Sequence, residues 1–192
     1  SLLDAAEASF LYGNGELRFS VEQSLYIMGV KSENLEKILG DRIFQDYKNN
    51  HSIYHNHLIA CAGTEHCVFG VIPNKPDAIN MAEYLEKTVP IEGGRLRMYW
   101  SACVKGCGIH GLGDIGFEGC KAKVNGVNGY GVHISLGGKL TSYGVEGYSV
   151  IKAAPLEYVH LYVETLAREY KSSRKIEETF EGFHDRILNN YS

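Results

Sequence analysis

Residues 95–107 read RLRMYWSACVKGC, and this stretch decides how the rest of the chain is interpreted. Apolar side chains occur at every second position of its first half, at Leu96, Met98 and Trp100, which is the period of a β-strand. The strand runs into two cysteines, Cys103 and Cys107, that form a C-x3-C pair. The stretch therefore predicts a strand whose end presents two thiols.

A second cysteine pair occurs upstream in a similar context. Cys61 and Cys67 form a C-x5-C pair directly after the short apolar segment 58–60. Four thiolates at the same end of a sheet can hold a soft metal ion or an iron–sulfur cluster. Structural zinc sites more often use C-x2-C to C-x4-C pairs, so the C-x5-C spacing weighs against zinc. Cys120 makes the cysteine count odd, which disfavours a disulfide framework, and we expect it to be a small buried apolar residue.

Around these pairs, the pattern predicts an α+β fold in two parts. The first part, residues 1–53, is expected to contain a helix, a short strand and a polar helix. The second part, residues 54–192, is expected to be an α/β domain that holds the cysteines. Its strands are predicted at 58–60, 95–101, 115–124 and 130–136, and its helices are predicted to begin at Pro76, Pro155 and Ile176.

Composition excludes several classes of function. The chain has 192 residues and a net charge of −4, so it shows no basic footprint for nucleic acid. No apolar run approaches the roughly 20 residues of a membrane helix, and no nucleotide-binding glycine fingerprint occurs. We therefore expect a cytoplasmic protein without nucleic-acid or membrane partners. Because the sequence begins without Met and in helix-like residues, we expect it to be cut from a longer polypeptide.

Four glycines accompany the second cysteine pair, at Gly106, Gly108, Gly111 and Gly113. Residues without a Cβ let a bulky cofactor lie against the backbone. Ordinary turns are the alternative explanation of the same glycines.

Several segments together resemble the nitrite and sulfite reductase family, whose members carry sirohaem and a [4Fe–4S] cluster. The two cysteine pairs, followed by residues 114–117 (DIGF), are similar to the family's cofactor signature. Residues 12–20 resemble the beginning of its ferredoxin-like half-domain, and Gly137-Gly138 and residues 178–186 resemble its later segments. The resemblance implies that residues 1–53 are a ferredoxin-like half-domain. The order of these parts is that of the second of two homologous halves in those enzymes. The resemblance thus implies a C-terminal half or a small relative with one repeat.

The same resemblance implies a set of cofactor ligands and a reaction. The expected ligands of the [4Fe–4S] cluster are Cys61, Cys67, Cys103 and Cys107. Cys107 is also expected to bridge the cluster to the sirohaem iron. The implied reaction is the six-electron reduction of nitrite to ammonia or of sulfite to sulfide, and residues 108–117 favour the nitrite reductase type.

Three further residues are expected to contact sirohaem. Ala102 stands where the family usually has glycine, and Lys105 stands in a loop that is usually uncharged. A cation there can pair with a sirohaem carboxylate, although a solvated lysine is the alternative. His66, within the C-x5-C loop, can hydrogen-bond a sulfur or a carboxylate, and an ordinary loop histidine is the alternative.

The expected partners follow from what the resemblance does not supply. The family's substrate-binding cations lie mainly in the first half, so no catalytic residue is assigned, and a missing N-terminal half or a second subunit is expected to complete the site. Electrons are expected from a donor such as ferredoxin or a flavoprotein. Two alternatives remain open: a redox or cofactor-binding module without catalysis, and a structural zinc-binding domain of an interaction protein.

Overall fold

The computed structural model describes residues 1–46 and 52–187. The chain divides into two compact units, Ser1–His51 and Ser52–Ser192, and each has its own hydrophobic core. Both units mix helices and strands, which confirms the α+β class. Within the described ranges, no helix is long and apolar enough to cross a membrane.

The first unit is a small helical layer beside a two-stranded sheet. Its elements are α1 (Leu2–Tyr12), β1 (Leu17–Phe19), β2 (Leu25–Ile27), α2 (Leu35–Leu39) and α3 (Arg42–Asp46). β1 and β2 are antiparallel, with Leu17 opposite Ile27. Ala5 and Ala8 of α1 are buried against Ile43 of α3, because a helix in a small unit must bury its apolar stripe against another element.

The second unit is built on one mixed sheet of five strands. Its elements are α4 (Ile53–Asn56), β3 (Leu58–Ala60), α5 (Lys75–Thr88), β4 (Met98–Ser101), β5 (Ile115–Val124), β6 (Val127–Leu136), β7 (Tyr148–Pro155), α6 (Val159–Ser173) and α7 (Phe180–Ile187). The strands lie in chain order, β3-β4-β5-β6-β7. β3, β4 and β5 run parallel, and β5, β6 and β7 form an antiparallel meander. The carboxyl ends of β3 and β4 therefore lie next to each other, at the same end of the two strands.

The two faces of this sheet have different surroundings. Buried residues of α5, α6 and α7 pack on one face in a single apolar core, where Trp100 of β4 stacks on Phe117 of β5 with ring centroids 3.9 Å apart. Side chains alternate along a strand, so Glu118 and its cross-strand partner His133 project from the opposite face. That opposite face is free of the three helices and carries the polar groups described below.

The strands after β4 differ from the sequence prediction in two places. The hairpin between β5 and β6 turns on Asn125-Gly126 alone, both at positive φ (50° and 83°), so β6 begins at Val127 rather than at Tyr130. Asn-Gly is a preferred pair for a two-residue hairpin turn. The following residues 127–129, which also read as turn residues, therefore belong to strand β6. Strand β7 was not predicted at all: Pro155 ends this strand, and α6 begins only at Val159.

The reason for missing β7 lies in its pattern. It is one of the two edge strands of the sheet, and Tyr148 and Val150 are more than 40% exposed. The register shifts between β6 and β7, and Ala153 has a positive φ of 51°, so the alternation of apolar and polar residues is lost. Proline is tolerated at the end of an edge strand, so Pro155 does not mark a helix start.

A buried ion pair ties the beginnings of β4 and β5 together. The Arg97 guanidinium donates to Asp114 Oδ1 at 2.6 Å and to Glu181 Oε2 at 2.7 Å, and the Arg97 amide donates to Asp114 Oδ2 at 2.7 Å. The side chains of Arg97 and Asp114 are 3% and 1% exposed. Burial alone lowers the pKa of Arg97, but the hydrogen bond and charge of Asp114, with Glu181, raise it above the ordinary value. Arg97 thus keeps its positive charge inside the protein.

Candidate functional site

The two cysteine loops leave the sheet side by side. Cys61 directly follows β3, and Cys103 follows the parallel neighbour β4. The Cys61 amide donates to the Trp100 carbonyl at 3.1 Å, which extends the β3–β4 ladder into the first loop. Farther along, the Val71 amide donates to the Ala102 carbonyl at 2.9 Å. The structure therefore brings the C-x5-C and C-x3-C loops together at one edge.

The sulfur of Cys61 accepts two hydrogen bonds from nitrogen. The Ala102 amide donates to Cys61 Sγ at 3.1 Å, and Asn74 Nδ2 donates to it at 3.3 Å. Hydrogen bonds of this kind orient a side chain that is a candidate metal ligand. Ala102 is 1% exposed, and its amide serves Cys61 in this way; a contact of Ala102 with sirohaem stays a prediction.

The other members of the cysteine quartet are half-buried or exposed. All five cysteines are free thiols; Cys67 and Cys103 are half-buried and Cys107 is exposed. Over residues 1–46 and 52–187, no three His, Cys, Asp or Glu side chains are gathered closely enough to hold one metal ion. A structural zinc ion needs four such ligands around a single atom, whereas the thiolates of a [4Fe–4S] cluster bind different iron atoms.

Backbone contacts hold both loops closely. A Cβ on Gly63, which has φ +76°, would lie 1.7 Å from the Pro73 carbonyl oxygen. A Cβ on Gly108 would lie 1.9 Å from the Trp100 carbonyl oxygen, the same oxygen that accepts the Cys61 amide. Only glycine at these two positions leaves room for the loops to pass this close to neighbouring backbone. A turn by itself would not need such a close approach.

We expect Gly108→Ala to destabilise the second unit by about 1–3 kcal/mol, the usual cost of forcing an extra carbon into packed structure. The Trp100 carbonyl belongs to β4 and cannot move without disturbing the sheet. Gly129→Ala is the matched control, because a Cβ there meets nothing within 4 Å. Urea unfolding of both variants measures the difference, and equal midpoints would contradict the packing described for Gly108.

A cleft of about 840 Å³ opens beside the C-x3-C loop. Val104, Lys105 and Gly106 of that loop contribute to its wall, together with residues 109–112 after Cys107 and residues 146–147 before β7. The rest of the wall comes from strands β5, β6 and β7. Its charged and titratable lining consists of Lys105, His110, Glu118, His133, Glu146 and Lys152. The volume lies within the range of cofactor sites, and the lining combines cations with backbone-exposing glycines. Within this lining, the ammonium groups of Lys105 and Lys152 are the groups that can pair with the carboxylates of a large ring, and Glu118 and Glu146 are not.

The polar groups of the cleft are partly fixed by one another. His110 Nε2 lies 3.2 Å from Glu118 Oε2, and His133 Nδ1 accepts the Ala153 amide at 3.1 Å. The Lys105 ammonium lies 4.4 Å from the ring centre of Phe69, a cation–π contact that links the two cysteine loops. Lys105 is exposed and lines the cleft, which is where a cation can meet a carboxylate.

The expected and observed lining differ in two ways. The His66 side chain is 71% exposed, with Nε2 4.0 Å from Glu65 Oε2, and His66 does not line the cleft. Its proposed contact with a cofactor stays a prediction. Sequence reasoning missed His133 and Lys152, because the first was assigned only to a strand and the second lies on the unpredicted β7. The alternation along β6 was the one signal that could have placed His133 on the polar face.

The DIGF segment, residues 114–117, supports the site without lining the cleft. Asp114 holds Arg97, and Phe117 stacks on Trp100. At Gly116, a Cβ would lie 2.2 Å from the His110 carbonyl oxygen, so glycine lets the chain after Cys107 pass close to β5. The segment thereby positions the C-x3-C loop against the sheet.

Comparison with known sequences gives consistent results. The family described as "Nitrite/Sulfite reductase ferredoxin-like half domain" matches residues 1–41. The chloroplastic ferredoxin–nitrite reductase of Betula pendula is 32% identical over 170 residues, which are 87% of this chain and 29% of that protein. The ferredoxin–nitrite reductase of Synechococcus elongatus is 30% identical over 139 residues, or 72% of this chain and 27% of that protein. The chain thus spans less than a third of the length of these curated relatives.

Solved structures show the same fold at lower sequence identity. The Mycobacterium tuberculosis NirA protein matches with a TM-score of 0.78 at 20% identity, over 97% of this chain and 35% of that chain. The dissimilatory sulfite reductase DsrI matches with a TM-score of 0.64 at 13% identity, over 97% and 62% of the two chains. Both units of the chain are therefore covered by a fold already seen in longer proteins.

Proposed function

Because the chain belongs to the nitrite and sulfite reductase family, we propose that it is the cofactor-bearing part of an enzyme that reduces nitrite to ammonia. The observation that carries this proposal is the meeting of the two cysteine loops beside a cleft whose wall includes the ammonium groups of Lys105 and Lys152. Nitrite is preferred over sulfite because the sequence relatives are ferredoxin–nitrite reductases. Reduction of sulfite to sulfide is the second candidate and is favoured only by the fold shared with DsrI.

The cysteine quartet is proposed to hold the [4Fe–4S] cluster, with Cys107 also facing the sirohaem. When bound, these two cofactors supply the one-electron chemistry from which a six-electron reduction is assembled. The chain itself contributes the thiolates, a glycine-rich wall and two ammonium groups, those of Lys105 and Lys152, which can pair with sirohaem carboxylates. The exposed face of Cys107 allows this approach.

The division of the chain supports an assignment of its two units. We assign Ser1–His51 to the ferredoxin-like half-domain and Ser52–Ser192 to the cofactor domain. The match of residues 1–41 to the half-domain family supports the first assignment. The remaining two thirds of a full-length relative is proposed to provide the cations that bind the anion, and ferredoxin is proposed as the electron donor, with a flavoprotein as the alternative.

Turnover tests the proposal when the chain is joined to the part that is proposed to complete its anion site. This longer protein is produced in cells that make sirohaem and is supplied with reduced methyl viologen and either nitrite or sulfite. We expect consumption of nitrite with formation of ammonium, at a higher rate than formation of sulfide from sulfite. A faster reaction with sulfite would contradict the nitrite assignment. A longer protein that binds both cofactors but reduces neither anion would instead support the redox module without catalysis.

A further inference from the structure

Asn74 occupies an unusual place at the beginning of α5. It is fully buried, and its backbone has φ 70° and ψ −70°. The Lys75 amide donates to the Pro73 carbonyl at 3.0 Å, which closes a three-residue γ-turn around Asn74. This form of γ-turn is rare and strained, and such strain costs on the order of 1–3 kcal/mol. The structure around Asn74 must therefore hold it in place.

The contacts of the Asn74 side chain show what holds it. Its Nδ2 group donates to the Cys61 carbonyl at 2.9 Å, to the Trp100 carbonyl at 3.2 Å and to Cys61 Sγ at 3.3 Å. Its backbone amide donates to Asp77 Oδ2 at 2.7 Å. The strained turn thus directs one amide group at the end of β3, at the end of β4 and at a sulfur.

Cys61 differs from the other three cysteines in this respect. In the part of the chain that the structure describes, its sulfur is the one in the quartet that accepts N–H groups, from Ala102 and Asn74. The Ala102 donor belongs to the backbone, whereas the Asn74 donor is a side chain. Hydrogen bonds to the ligand sulfurs are among the factors that set the reduction potential of an iron–sulfur cluster.

We propose that Asn74 is a positioning residue that orients the Cys61 thiolate and raises the reduction potential of the cluster bound to it. The inference rests on the proposed function, because it requires that Cys61 ligates the cluster. Electron addition increases the negative charge on the cluster and its sulfurs, and an N–H donor stabilises the reduced state more than the oxidised state. Removing the donor therefore lowers the potential.

Asn74→Gly is the variant of choice. Glycine adopts a positive φ without the steric cost that asparagine bears, so the turn and the start of α5 persist. The amide donor is lost without the introduction of a charge. We expect the reduced-to-oxidised ratio of the cluster at a fixed potential to fall about tenfold, which corresponds to about 59 mV for one electron.

Asn80→Gly is the matched control. It makes the same chemical change six residues later on the same helix, at an exposed position without a bond to Cys61. Glycine inside a helix loosens α5, so this variant reports what reduced helix stability alone does to the potential. We expect the potential of Asn80→Gly to equal that of the wild type.

Anaerobic spectroelectrochemical titration, with iron and sulfide measured on each variant, decides between the outcomes. A lower potential in Asn74→Gly with the iron content retained, and no shift in Asn80→Gly, supports the inference. Equal potentials in all three proteins, or the same shift in both variants, overturns it while leaving the proposed function intact. A wild-type chain without a cluster overturns the proposed function and this inference with it.

Discussion

Replacing Cys103 by serine is expected to abolish binding of the iron–sulfur cluster. Cys103 follows β4 at the edge where the Cys61 loop arrives, and a hydroxyl is a poor substitute for a thiolate as a ligand of iron in such clusters. Iron content should fall from about four atoms per cluster to nearly none. The same loss is expected for the serine variants of Cys61, Cys67 and Cys107.

Cys120→Ser is the control for this series. Cys120 lies within β5 rather than in either cysteine loop, two residues after Glu118, which pairs with Ser101 at the end of β4. Burial raises the pKa of its thiol. This variant should keep its iron. Circular dichroism of each protein verifies that the fold is retained. Full iron content in Cys103→Ser or Cys107→Ser would refute the ligand assignment.

Asp114→Asn is expected to produce the largest loss of stability, about 3 kcal/mol or more in the free energy of unfolding. The substitution keeps the size of the side chain but removes the charge that faces Arg97 at 2.6 Å. Arg97 is almost fully buried, so its charge is left with only Glu181, whose side chain is 28% exposed. Breaking one side of a buried pair is costly because the remaining charge is still removed from water.

An exposed ion pair provides the comparison. Arg168 lies 2.7 Å from Glu164 on α6, and its side chain is 58% exposed. We expect Arg168→Ala to change the urea midpoint little, because solvent screens such pairs. Arg97→Met/Asp114→Leu, which removes both buried charges, should recover part of the stability lost in Asp114→Asn. Equal midpoints for wild type and Asp114→Asn would show that the pair does not stabilise the second unit.

The sequence was sufficient to predict where the cysteine loops meet. Two cysteine pairs that each follow an apolar strand come together if the two strands are parallel neighbours. β3 and β4 are parallel neighbours. The family resemblance was also confirmed by the comparisons. These features depend on local sequence patterns: the alternation of apolar residues, the spacing of the cysteines and the signature motif.

Other features depend on contacts between distant residues and could not be predicted. Asn74 lies 13 residues after Cys61 and reads as an ordinary residue before a helix; only the fold places its amide against the sulfur. The cleft wall includes Lys152 of β7, a strand whose irregular register hides the alternation. Asp114 could be identified from the sequence only as part of a family signature. The structure shows that its carboxylate accepts a hydrogen bond from the buried Arg97 guanidinium.

The central claim is that the two cysteine loops of this chain hold a [4Fe–4S] cluster beside sirohaem. An anaerobic visible absorption spectrum, combined with iron and acid-labile sulfide analysis of protein made in sirohaem-producing cells, tests it most directly. The account predicts macrocycle bands and about four cluster irons with matching sulfide, in addition to the iron of sirohaem. A colourless protein that contains zinc, or one that contains no metal, would contradict it.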